Sequence, residues 1–164
     1  MCEGSRPHQK DCEQLQIEMA SLVRSRMQAK GVSLRCLVDN KIIKSSHRNH
    51  FFERLAEGTL SYAEVNKLTA YLDIDPVRAA ITVHCFDDPE VYDDPCCETS
   101  ADVAVHLAHE LTEEIAAIED GNFQPLRDSL CKGSARKLAS AIAKNHVDEQ
   151  RRQNDFHFLD KQFG

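Results

Sequence analysis

SYAEVNKLTAYLDIDPVRAAITV, residues 61–83, holds two helix starts in one short stretch. Ser61 followed by Glu64 is a capping box. The hydroxyl can accept from the Glu64 amide, and the carboxylate can reach back to the Ser61 amide. The helix it opens spans Tyr62–Leu72, with Val65, Leu68 and Leu72 on its inner side. Asp75-Pro76 opens the next helix, with Asp as N-cap and Pro at the first helical position, where an amide is not needed. That helix runs to about His84 and is expected to turn Val77, Ala80 and Ile81 inward.

Upstream, Ser45 or Ser46 is expected to cap a helix through about Glu57, with Phe51, Phe52 and Leu55 as its apolar side and Gly58 as its stop. Asn40-Lys41-Ile42-Ile43 reads as a turn, and Ser33 caps a short helix, Leu34–Asn40, carrying Leu34, Leu37 and Val38. Residues 11–30 form the first helix, with Ile17, Ala20 or Leu22, Val23 and Met27 at helical spacing and Gly31 after it. Downstream, residues 87–98 carry Pro89, Pro95 and clustered acids without periodicity, and read as an acidic linker. Thr99 or Ser100 is expected to cap a helix to about Asp120, with a stripe of Ala104, Leu107, Ala108, Leu111, Ile115 and Ile118 and a stop at Gly121-Asn122. Pro125–Cys131 reads as a short helix closed by Gly133, and Ser134 as the cap of another with Leu138, Ile142 and Val147 inward. The tail from Asp148 to Gly164 is a docked final helix or a frayed end.

Within this pattern, residues 20–83 resemble the Cro/CI-type (Xre-family) helix-turn-helix DNA-binding domains. LVRSRMQAKGVSLRCLV (22–38) is similar to the first helix, glycine and second helix of that family, and KSSHRNHFFERLAEG (44–58) to its recognition helix and following turn. LSYAEVNKLTAYLDIDPVRAAI (60–81) is similar to the fourth helix and the entry into the fifth. The resemblance implies an all-α chain: a five-helix lambda-repressor-like helix-turn-helix domain over 11–86, then a small helical C-terminal domain over 99–164. It also implies a third helix in the major groove. Ser45, Ser46, His47, Arg48, Asn49 and His50 would lie near base edges, and Arg35, Lys41, Lys44 and the amide end of the second helix near phosphates. Arg can grip guanine and Asn adenine through paired hydrogen bonds. Where the family carries a small residue and a glycine between helices two and three, this chain has Asp39-Asn40-Lys41-Ile42. Asn40 is expected to supply the left-handed conformation there.

The charge distribution agrees with a local polyanion site. The chain of 164 residues has a formal net charge of −7. From Ala20 to Ala56, however, eight Lys and Arg stand against Asp39 and Glu53 alone, a balance of +6. From Asp87 to Leu126 there are twelve carboxylates and no Lys or Arg, a stretch that should not lie on DNA.

Length excludes a large α/β barrel, and six Gly with five Pro give little of the punctuation of an all-β fold. No apolar run approaches a membrane span, and Met1 to His8 is polar, so a signal peptide is not expected and the cytoplasm is. The seven Cys are odd in number and show no CxxC spacing, which favours free thiols over a zinc site or a disulfide framework. His106, His109, Glu110 and Glu113 share one helical face, which reads as an exposed polar face. No Gly-rich phosphate loop, G-x-S-x-G or Cys/His nucleophile context stands out, so neither an enzyme nor a cofactor is expected.

The expected function is a sequence-specific transcriptional regulator of double-stranded DNA, of repressor type. It would act as a homodimer through the C-terminal helices, which also offer room for an effector. Two other classes stay open. One is an antitoxin-like or anti-regulator module that engages a basic partner through the acidic half. The other is a metal- or redox-responsive sensor built on the Cys and His residues.

Overall fold

The computed structural model describes residues 11–86, 88–118 and 123–163, with side chains to residue 153. The chain divides into two units, residues up to Glu114 and residues from Ile115 on. Every described element is helical, and among the described residues no helix is long and apolar enough to cross a membrane.

In the first unit, α1 (Cys12–Ala29) is capped by Asp11, whose carboxylate accepts from the Gln14 amide. It packs against α3 (Phe51–Ala56), α4 (Tyr62–Leu72), α5 (Pro76–Cys85) and a 3₁₀ turn at Pro89–Asp93. Ala20, Leu22, Val23 and Met27 are its buried side, while Ile17 is 48% exposed and stands outside the stripe expected for it. Ser33 caps α2 (Leu34–Asp39), which buries Leu37. Phe51, Leu55, Leu68, Leu72 and Ile74 complete the centre. The Ser61/Glu64 capping box and the Asp75 cap with Pro76 behind it form as their spacing predicts. Gly58 ends α3 at φ 65°, a backbone that favours glycine, while a Cβ there would meet only the movable end of the Gln16 side chain.

Several local expectations are corrected. The single helix expected from Ser45 or Ser46 to Glu57 is a 3₁₀ segment, Ser45–His50, followed by α3. Neither serine caps it; Lys44 stands at the N-cap without a side-chain bond. Ser, His and Asn are weak helix formers, and the segment has only exposed or half-buried side chains to hold it, so it closes with tighter i→i+3 bonds. Lys41, not Asn40, takes the left-handed conformation, at φ 59°. The Asn40 side chain donates to the Cys36 carbonyl at 2.8 Å and to the Tyr71 hydroxyl at 3.1 Å, tying the end of α2 to α4. α5 buries Ala79, Thr82 and Val83 rather than Val77, Ala80 and Ile81, because it packs on both α1 and the Pro89–Asp93 turn.

Within 87–98, Tyr92 is 3% exposed, and Pro95 already begins α6 (Pro95–Ala116). Thr99 and Ser100 hydrogen-bond back to the carbonyls of Pro95 and Cys96, as residues inside a helix do, and do not cap it. Cys97 is fully buried, its Sγ 3.2 Å from Thr82 Oγ1, and Ala101 is buried beside it, so α6 is anchored at its start. Further along α6 the expected inner stripe is open: Leu107 is 50% exposed and Leu111 45%.

In the second unit, α7 (Asp128–Phe163) is one helix that runs through Gly133 and Ser134, where a stop and a new cap were expected. Nothing lies within 4 Å of a Cβ built on Gly133, so the glycine neither breaks the helix nor serves a close approach. Leu138 and Val147 are exposed and Ile142 is half-buried. The stop expected at Gly121-Asn122 lies outside the described residues.

Candidate nucleic-acid interface

Residues 41–50 leave the end of α2 through the left-handed Lys41 and enter the 3₁₀ segment at Ser45. Lys41, Lys44, Ser45, Ser46, Arg48, Asn49 and His50 are all exposed. In a 3₁₀ segment positions i and i+3 line up, which stacks Ser45 with Arg48 and Ser46 with Asn49. Among the described residues, Lys41, Lys44, Arg48 and Asn49 make no ion pair or side-chain hydrogen bond.

His47 is separated from this set. Its side chain is 28% exposed and turned toward α3 and α4. Nδ1 lies against Arg54 Nη1 and 3.3 Å from Glu64 Oε1. Glu64 Oε1 is buried without a hydrogen bond and stands 4.0 Å from the Arg54 guanidinium. Arg54 also donates to the Thr59 carbonyl at 3.0 Å. The trio therefore locks the 3₁₀ segment to α3, to the turn after it and to the start of α4.

His50 Nδ1 lies 2.7 Å from Glu53 Oε2, an exposed pair of little energetic weight. Arg35, 80% exposed, lies 3.7 Å from Asp39 one turn along α2. Beside the 41–45 turn is a groove of about 420 Å³ lined by Val38, Ile42 and Ile43, by Lys41, Lys44 and Ser45, and by Glu64 and Lys67 of α4. Lys67 was not among the residues the sequence singled out. Its only signal there is a place off the Val65, Leu68 and Leu72 side of its helix.

The Ser61 amide donates to Glu64 Oε2 at 3.0 Å and the Ser61 hydroxyl at 2.8 Å. These bonds, with His47 and then the Arg54 charge, hold the Glu64 carboxyl below its ordinary 4.5. The folded pKa is then lower than the unfolded one. The stabilisation is present above the ordinary value and is lost as pH falls through the folded value. Melting temperature should decline between about pH 5 and pH 3, and less steeply in Glu64→Gln, as thermal melts across that range will register.

Elsewhere, His106, His109, Glu110 and Glu113 are exposed on α6, and among the described residues no group of three His, Cys, Asp or Glu is placed to hold a metal ion. Cys12, Cys36, Cys85, Cys96, Cys97 and Cys131 are free thiols.

No family model matches the chain, and neither a curated protein nor a solved structure does.

Proposed function

We propose that this protein is a sequence-specific regulator of transcription, a homodimeric repressor. Its 44–50 segment would read the major groove of double-stranded DNA, and Lys41 and Lys44 would meet phosphates. One observation carries the reading: Lys41, Lys44, Arg48 and Asn49 stand exposed and unpaired along one short segment, while the nearby Glu64 faces inward to Arg54. Cations without internal partners give up no ion pair on meeting phosphates, and each contact releases counterions. Arg48 and Asn49 carry the paired donors and acceptors that distinguish guanine and adenine. His47 is left out of the reading set, since its ring is engaged by Arg54. A single small domain reads few base pairs, so useful specificity comes from two half-sites held together.

Selection of bound sequences from a random duplex pool tests the proposal. A palindromic enriched motif supports it, and a pool that stays random despite tight binding removes sequence recognition. On the selected site, Arg48→Ala and Asn49→Ala should each cost about 1–3 kcal/mol and relax preference at one position per half-site. Lys44→Ala should instead weaken all sequences alike. Competition binding with a panel of single-substitution duplexes separates the two patterns.

A further inference from the structure

We propose that the groove beside the 41–45 turn carries one phosphodiester strand of duplex DNA, and that Lys67 of α4 is the third cation gripping it, opposite Lys41 and Lys44. The inference rests on the DNA-binding reading above and adds a wall and a residue to it.

The groove joins two chemistries. Three lysines, Lys41, Lys44 and Lys67, line it, and none has an ion-pair partner among the described residues. The one acid in its lining, Glu64, is engaged within the fold: Oε2 is held by the Ser61 amide and hydroxyl, and Oε1 is buried 4.0 Å from the Arg54 guanidinium. The lining charge is therefore positive. Between the lysines lie Val38, Ile42 and Ile43, half-buried or buried, which give the groove an apolar floor. Alternating phosphate and deoxyribose match this pairing, since phosphate oxygens suit ammonium point charges and the carbon-rich sugar edge suits the floor. Lys41 takes the left-handed backbone that closes α2, with its amide on the Val38 carbonyl and the Ile42 amide on the Leu37 carbonyl, and it lines the groove at this turn. Ser45 lines the groove and also begins the segment that carries Arg48 and Asn49, so a strand lying here continues into the reading face.

Affinity of the full chain for its selected duplex and for a scrambled duplex, measured across a salt series by fluorescence anisotropy, tests the proposal. Lys67 is exposed, so Lys67→Gln should keep wild-type helicity and melting. It should weaken both duplexes by the same factor and reduce the slope of log affinity against log salt by about 0.9, the value for one lost phosphate contact. Lys67→Arg should restore the slope, and Lys144→Gln, an exposed lysine of α7, should leave it unchanged. A wild-type slope in Lys67→Gln, with wild-type duplex binding intact, overturns the groove assignment and leaves the DNA-binding reading standing. Absence of salt-dependent duplex binding by the wild type removes the DNA-binding reading itself. Polyglutamate that binds the wild type but not Lys67→Gln, without displacing duplex, assigns the groove to an acidic peptide and overturns the proposal.

Discussion

Tyr92→Ala should lower the unfolding free energy of the first unit by about 3–5 kcal/mol, the range for deleting a buried aromatic ring. Two guanidiniums stand over the ring, with Arg26 Cζ 4.9 Å and Arg78 Cζ 4.7 Å from its centroid. Its hydroxyl oxygen accepts from the Asp75 amide at 2.8 Å, and burial pushes the phenol above its ordinary 10, so the ring stays neutral. The flanking cations have their own anions: Arg26 Nη1 is 2.6 Å from Asp93, and Arg78 is 3.7 Å from Glu98. Removing the ring leaves a cavity, an unpaired Asp75 amide and two cations that have lost their aromatic partner. It also frees the turn that leads into α6. Tyr92→Phe keeps the ring and removes only the hydroxyl, and should cost about 1–3 kcal/mol. Urea unfolding of the three proteins measures both values. Equal stability of Tyr92→Ala and wild type would mean that the Pro89–Asp93 turn is not held by this ring.

Leu107→Glu with Leu111→Glu should convert the proposed dimer to a monomer and lower affinity for a two-half-site duplex by about 10²–10⁴-fold, the factor by which linked sites exceed one site. Both side chains are about half exposed on α6, so the change buries no charge in the folded chain and should leave helicity intact. Exposed leucines one turn apart on an anchored helix form an apolar strip, and a second copy of the chain is the partner the proposed function needs. Affinity for a single half-site should stay near wild type, because the 44–50 segment is untouched. Light scattering and binding to one- and two-half-site duplexes read the two effects separately. A double variant that stays dimeric, or a wild type that is monomeric at micromolar concentration, overturns this assembly.

Some of the molecule depends on neighbours three or four residues away, and that part was legible in the residues themselves. Ser61 with Glu64, Asp75 with Pro76, Ser33, and the stops at Gly31 and Gly58 act within one turn of backbone, so their spacing alone specifies the helix ends. The charge contrast between 20–56 and 87–126 is likewise a property of the chain and needs no fold. The candidate segment 41–50 was visible by residue type, while the state of each side chain was not. His47 and Arg48 are adjacent and both suited to DNA, yet one meets Arg54 seven residues on and the other faces water.

Tertiary contacts decided what local pattern could not encode. Asn40 bonds to Tyr71, thirty-one residues away, and the left-handed place passes to Lys41. Tyr92 lies in a stretch without periodicity, and only packing among α1, α5 and the Asp75 amide makes it core. Lys67 is an ordinary exposed lysine until α4 is set beside the 41–45 turn, where it lines the same groove as Lys41 and Lys44. Leu107 and Leu111 show the converse. Their spacing gives α6 an apolar strip, but whether the strip is buried depends on a partner surface the helix does not carry. By itself the sequence determined the helical class, most helix ends and the basic character of residues 20–56. The tertiary structure decided which of those side chains are exposed, because exposure is set by residues distant in the chain and close in space.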